Sequence, residues 1–124
     1  MKERAQALFK EAIKKIDEAN EELCRPEEDV VTVLVCKKAQ RATENFLRGF
    51  LLQNSVEPNI NSTLDELYHQ CIDINPNFSL VDLSNFECRL LQLDSQQCNS
   101  LSKVNGCIKT ASKLDAFLRD ENVI

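Results

Sequence analysis

At 124 residues the chain is one domain, spanning 1–124, long enough to close a single core and too short for two. Two glycines, three prolines and 28% charged residues favour helices joined by few tight turns, so the fold class read from composition is all-α. A formal net charge of −5 argues against general nucleic-acid affinity, because neutralising phosphates needs a basic surface, and leaves room only for a local patch.

The first element runs from Lys2 to Leu23. Ala5, Leu8, Ala12, Ile16, Ala19 and Leu23 recur at helical spacing and form its seam, with Phe9 and Ile13 beside it and Lys14, Lys15, Asp17, Glu18 and Glu21 elsewhere. The opening residues alternate charge with apolar side chains where a signal peptide carries an unbroken apolar segment, and no run has the length to span a bilayer. The expectation is a cytoplasmic protein without membrane association. Glu27, Glu28 and Asp29 follow Pro26, the arrangement that suits a helix N-terminus, and the short join makes the second helix an antiparallel neighbour of the first.

The second element, Pro26 to Asn54, is the one the others are arranged around. Val31, Val35, Ala39, Ala42 and Phe46 fall within a narrow arc of the helical wheel, and Lys37, Arg41, Glu44 and Arg48 lie opposite. The β-branched run at Val30 to Val35 would also suit a buried strand. It continues without Gly, Pro or a turn residue into a segment that has only the helical period, and helix is the reading taken. Gly49 sits near the core arc at a cost of about 1 kcal/mol relative to Ala, which implies that something approaches closely there. Val33, Leu34, Leu51 and Leu52 are apolar but off the main stripe. Either the short helix beside them or a second copy of the chain would cover them, and in a twofold dimer one such patch is used twice.

The connector that follows contains Pro58. Asn61 or Ser62 can cap the third helix, and Thr63 followed by Glu66 has the spacing of a capping box. That helix carries Leu64, Leu67, Tyr68, Cys71 and Ile72, and stops before Pro76, whose ring disfavours helix at Asn75. Between Asn77 and Asp94 the pattern is irregular, with a short helix or turn started by Ser84 and Glu87 and bearing Phe86, Leu90 and Leu93. Asp94 and Gln97 start the last long helix, whose seam is Leu101, Val104, Ile108, Ala111, Leu114 and Leu118. The architecture expected is an antiparallel up-and-down four-helix bundle with one additional short helix.

The segment from Cys36 to Cys71 resembles the HEPN family of small prokaryotic helical-bundle proteins. The likeness is carried by Cys36, Ala39, Ala42, Glu44, Phe46, Leu47 and Gly49 in the second helix, Pro58 in the loop, and Leu64, Leu67 and Cys71 in the third. These are packing and turn positions, so they speak for fold more than for activity. The resemblance implies an antiparallel bundle and frequent homodimerisation. It also implies a group that includes toxin RNases, nucleotide-binding modules and partners of minimal nucleotidyltransferases. The RNases of that family carry an arginine and a histidine separated by four to six residues. Here the sole histidine is His69, and the three positions where the arginine would stand are Ser62, Thr63 and Leu64. No catalytic residue is therefore assigned. The leading reading is a non-catalytic binding or partner module, and the alternative is a divergent RNase whose acid and base are not evident.

Weaker constellations remain. Asp65, His69 and Asp73 share one side of the third helix, but a lone histidine between acids usually belongs to a solvated surface, and no metal site is assigned. Lys37, Arg41 and Arg48, with Lys103, Lys109 and Lys113, would make a phosphate-binding strip if their helices were neighbours with these faces outward. A merely solvated face is the plainer explanation. No glycine-rich loop or aromatic platform marks a nucleotide or RNA site, and no cofactor is expected. The six cysteines, Cys24, Cys36, Cys71, Cys88, Cys98 and Cys107, form no C-x-x-C pair, and reduced thiols in the core are the expectation.

Overall fold

The computed structural model describes residues 2–26, 32–59, 61–81 and 101–121; for Lys2, Thr32, Val33 and 101–105 it describes the helical backbone alone. Within these residues the chain is all-helical. It consists of α1 (Lys2–Leu23), α2 (Thr32–Gln53), α3 (Leu64–Ile74), a 3-10 turn (Pro76–Leu80) and α4 (Leu101–Asp120). Thr32 to Val35 are helical, so the β-branched run follows the period of the sequence that continues it; Val30 and Val31 lie outside the described residues. The short helix expected around Phe86, Leu90 and Leu93 and the start of the last helix at Asp94 lie outside them as well.

α2 packs against α1, α3 and α4, and α1 also meets α4. α1 and α2 are antiparallel. At one end Arg4 donates to both carboxylate oxygens of Glu57, just beyond α2, at 3.2 and 3.0 Å. At the other end Lys38, near the start of α2, reaches Glu18, near the end of α1. Between these ends Val35, Ala39, Ala42 and Phe46 are buried against Ala5, Phe9, Ala12, Ile16 and Ala19. Small residues alternate with large ones along this contact, which brings the two backbones close. Phe9 takes the central place on α1, while Leu8 on the adjoining arc is only partly buried. The close approach expected at Gly49 is by the ring of Phe9: a Cβ there would stand 2.6 Å from its Cε1.

α2 ends in a Schellman arrangement. Ser55 takes a left-handed conformation at φ 64°. The Val56 amide donates to the Leu51 carbonyl at 2.8 Å, and the Ser55 amide to the Leu52 carbonyl at 3.0 Å, so two carbonyls of the last turn are satisfied as the chain reverses. α3 starts at Thr63, whose hydroxyl accepts the Glu66 amide at 3.2 Å. The same hydroxyl gives its proton to the Glu66 carboxylate, so Glu66 closes on the side chain of the cap rather than on its backbone amide.

After α3 the chain stops at Asn75, as Pro76 requires. Asn75 caps the 3-10 turn by accepting the Asn77 amide. This turn places Phe78, completely buried, between Phe50 of α2 and Phe117 of α4, with ring centroids at 4.6 and 4.8 Å. The Tyr68 hydroxyl lies 3.2 Å from the Phe78 carbonyl and 2.7 Å from the Val81 carbonyl, fixing the turn to α3.

Leu51 and Leu52 are 0% and 2% exposed, so of the two covers left open for them the chain's own packing applies, and they drop out as candidate surface for a second copy. The last turn of α2 is enclosed from several sides by the chain itself. Leu34 is 42% exposed, and the side chain of Val33 lies outside the described residues.

Candidate functional site

The cations proposed as one strip are distributed to different places. Lys37 and Arg41, one turn apart on α2, are exposed and stand together over the seam between α1 and α2. Arg48 points to the α2–α3 connection, where its guanidinium donates to the carbonyls of Asn59 and Ser62 at 3.1 and 3.4 Å and holds the loop. Lys109 and Lys113 are exposed on α4 and do not line the α1–α2 seam; the side chain of Lys103 lies outside the described residues. One continuous phosphate strip is thus not assembled among the described residues, because α4 meets α2 on the side of the aromatic cluster rather than beside Lys37 and Arg41.

What Lys37 and Arg41 do form is one wall of a groove of about 380 Å³, completed by Leu34 and Lys38 of α2 and by Glu11 and Lys15 of α1. The helical period creates it: Leu34, Lys37, Lys38 and Arg41 are the residues next to the buried Val35, Ala39 and Ala42 on the side of α1. Two of its cations are neutralised within the groove's edge. Glu18 accepts from Lys38 at 2.8 Å and from Lys15 at 3.4 Å, and Lys15 also lies 3.6 Å from Glu11. The Lys38 hydrogen bond, helped by Lys15, holds the Glu18 carboxyl below the usual carboxylate range against a smaller desolvation effect. Lys37 and Arg41 have no ion-pair partner among the described residues. The groove therefore offers two uncompensated cations beside an exposed leucine, on a chain whose net charge is −5.

His69 is exposed on α3, in tilted contact with the neighbouring ring of Tyr68 at 6.1 Å. Asp65 and Asp73 are exposed on the same helix, and no group of three or more metal-ligating side chains converges among the described residues. Among the described residues nothing gives the imidazole an orienting partner and a nucleophile at once.

No known family, curated protein or solved structure matches this chain.

The cysteines differ from the uniform expectation. Cys71 is buried, its thiol directed to the Leu47 carbonyl at 3.6 Å, and burial pushes its pKa up to about 12. Such a thiol serves packing, not nucleophilic chemistry. Cys107 is buried on α4 and Cys24 is exposed after α1. Cys36, by contrast, is disulfide-bonded. The reading of all six cysteines as reduced is corrected at this position. No signal in the sequence marked Cys36, which belongs to no C-x-x-C pair. No helix among the described residues is long and apolar enough to cross a membrane.

Proposed function

We propose that this chain is a non-catalytic, HEPN-like helical module that works by binding a partner, as a homodimer. The observation that carries the reading is the pairing of an open cationic groove on α1 and α2 with an exposed, unassisted His69 on α3. Among the described residues, binding groups are gathered in one place and acid–base groups are not. The resemblance at Cys36 to Cys71 supports the same class, because most of the positions that carry it are buried in α2 and α3, and Ser62, Thr63 and Leu64 stand where the RNases of that family hold arginine. Within that class, a minimal nucleotidyltransferase and a free nucleotide are the two ligands the resemblance suggests.

The deciding experiment incubates the purified protein with mixed RNA, alongside His69→Ala. The reading expects no cleavage by either. Cleavage by the wild-type protein that the variant lacks would replace it with a divergent RNase. A thermal-shift series with nucleoside mono-, di- and triphosphates separates the two ligands, a rise in midpoint pointing to the nucleotide. Light scattering tests self-association: a single species at the 14.1 kDa chain mass at micromolar concentration removes the homodimer.

A further inference from the structure

We infer that the α1–α2 groove is a docking site for an acidic amphipathic helix of a partner protein, one that sets two carboxylates a turn apart with an apolar side chain one turn beyond them. The inference rests on the partner-module reading and names the partner's chemistry.

Three features of the groove select this occupant. Lys37 and Arg41 lie four residues apart on one helix, so their charges recur at the pitch of a helix, and the complement that meets both is a carboxylate pair at the same spacing on another helix. Leu34 stands one turn before Lys37 and is 42% exposed, giving an apolar contact in line with the two cations. The remaining cations, Lys15 and Lys38, are already held by Glu18 and Glu11, which frame the groove with negative charge.

That frame argues against a nucleic-acid strand. A phosphate backbone carries charge continuously and would run from the two available cations onto the carboxylates beside them, whereas a helix with two acids ends its charge where the groove does. A second copy docked twofold through this face would set Lys37 and Arg41 against their own counterparts. The protein's overall negative charge weakens non-specific attraction to acidic peptides, so binding here depends on the local pair.

The test selects random sixteen-residue peptides displayed on phage against the wild-type protein, with counter-selection on Lys37→Glu/Arg41→Glu, and measures the enriched peptides by fluorescence anisotropy. Peptides with Asp or Glu at i and i+4 and Leu, Ile or Phe one turn outside that pair are expected. Their affinity should fall at least tenfold for the double variant and several-fold for Leu34→Ser, weaken with added salt, and hold within twofold for Lys109→Glu/Lys113→Glu on α4. All these side chains are exposed, and far-UV circular dichroism with a melting curve establishes that each variant is folded. The proposal is overturned if enriched peptides lack an acidic bias, if the α4 variant loses as much affinity as the groove variant, or if a single-stranded RNA dodecamer binds the groove more tightly than the best peptide. Light scattering that shows the Lys37→Glu/Arg41→Glu variant losing self-association would also overturn it, assigning the face to a second copy. RNA cleavage would remove the partner-module reading without moving any of these peptide measurements, so the two fail separately.

Discussion

Replacing Gly49 by alanine sets two effects of known sign against each other. In mid-helix the added methyl is worth about 1 kcal/mol, because alanine restricts the unfolded chain more than glycine does. Here the methyl would lie 2.6, 2.9 and 3.1 Å from Cε1, Cδ1 and Cζ of Phe9. Unstrained carbon contacts are about 3.5–4.0 Å, so one edge of the ring is overlapped by up to about an ångström. Phe9 is 2% exposed, and its ring centroid is 6.5 Å from that of Phe46, leaving a rigid group with little room to turn away. Overpacking of this kind costs about 1–3 kcal/mol, and with three ring atoms involved the upper part of that range applies. The net expectation is a loss of about 1–2 kcal/mol, or a fall in Tm of roughly 3–8 °C for a domain of this size. Urea denaturation followed by circular dichroism measures it. The same substitution in a Phe9→Leu background meets no ring, so it should become neutral or stabilising by up to about 1 kcal/mol, giving a coupling energy near 2 kcal/mol. A Gly49→Ala protein as stable as wild type, or coupling below about 0.5 kcal/mol, would refute the argument that the α1–α2 contact is set by this glycine.

Four further outcomes rest on the packing. Leu51→Ala should cost about 2–4 kcal/mol in urea denaturation, since its side chain is fully buried, while Leu34→Ser should change stability by less than about 0.5 kcal/mol; equal effects would contradict the burial of the α2 end by its own chain. Ser55→Gly should stabilise by about 0.5–1 kcal/mol, because Ser55 holds φ 64° at the end of α2 where glycine has no steric penalty, and a loss of stability would show that the serine side chain matters more than its backbone. Iodoacetamide labelling read by peptide mass spectrometry should modify Cys24 in the native protein and Cys71 only at urea concentrations that unfold it. Cys71 also carries a pH effect: the unfolded thiol ionises near 9.0 while the folded one keeps its proton to about 12, so between those values the folded state binds more protons and stability falls as pH rises. A Cys71→Ala variant should lack this alkaline decline, and an unchanged decline in it would assign the effect elsewhere.

The candidate site was half legible in the sequence. Lys37 and Arg41 were readable as a pair because both lie on one helix, where spacing alone fixes the face. Their company was not readable. Glu11, Lys15 and Glu18 enter only when α1 docks antiparallel to α2, and Arg48, on the same helical face, is drawn off by carbonyls of a loop whose path no periodicity records. The cover of Leu51 and Leu52 stayed open between the chain itself and a second copy for the same reason: their position off the stripe was legible, but burial depends on how many neighbours surround the helix end.

The recurrence of apolar residues every three or four positions determined that the chain is helical, where α1 and α3 lie, that Pro76 ends α3, and that Val35, Ala39, Ala42 and Phe46 face inward. Those are properties of short segments, carried by neighbours in sequence. Only the tertiary structure decided that Phe9 fills the gap at Gly49, that Phe78 is drawn from an irregular turn into the core between Phe50 and Phe117, that Cys36 is disulfide-bonded, and that two cations remain uncompensated beside Leu34. Each of these depends on residues from different elements meeting, a matter of docking geometry and complementary shape that no window along the chain contains.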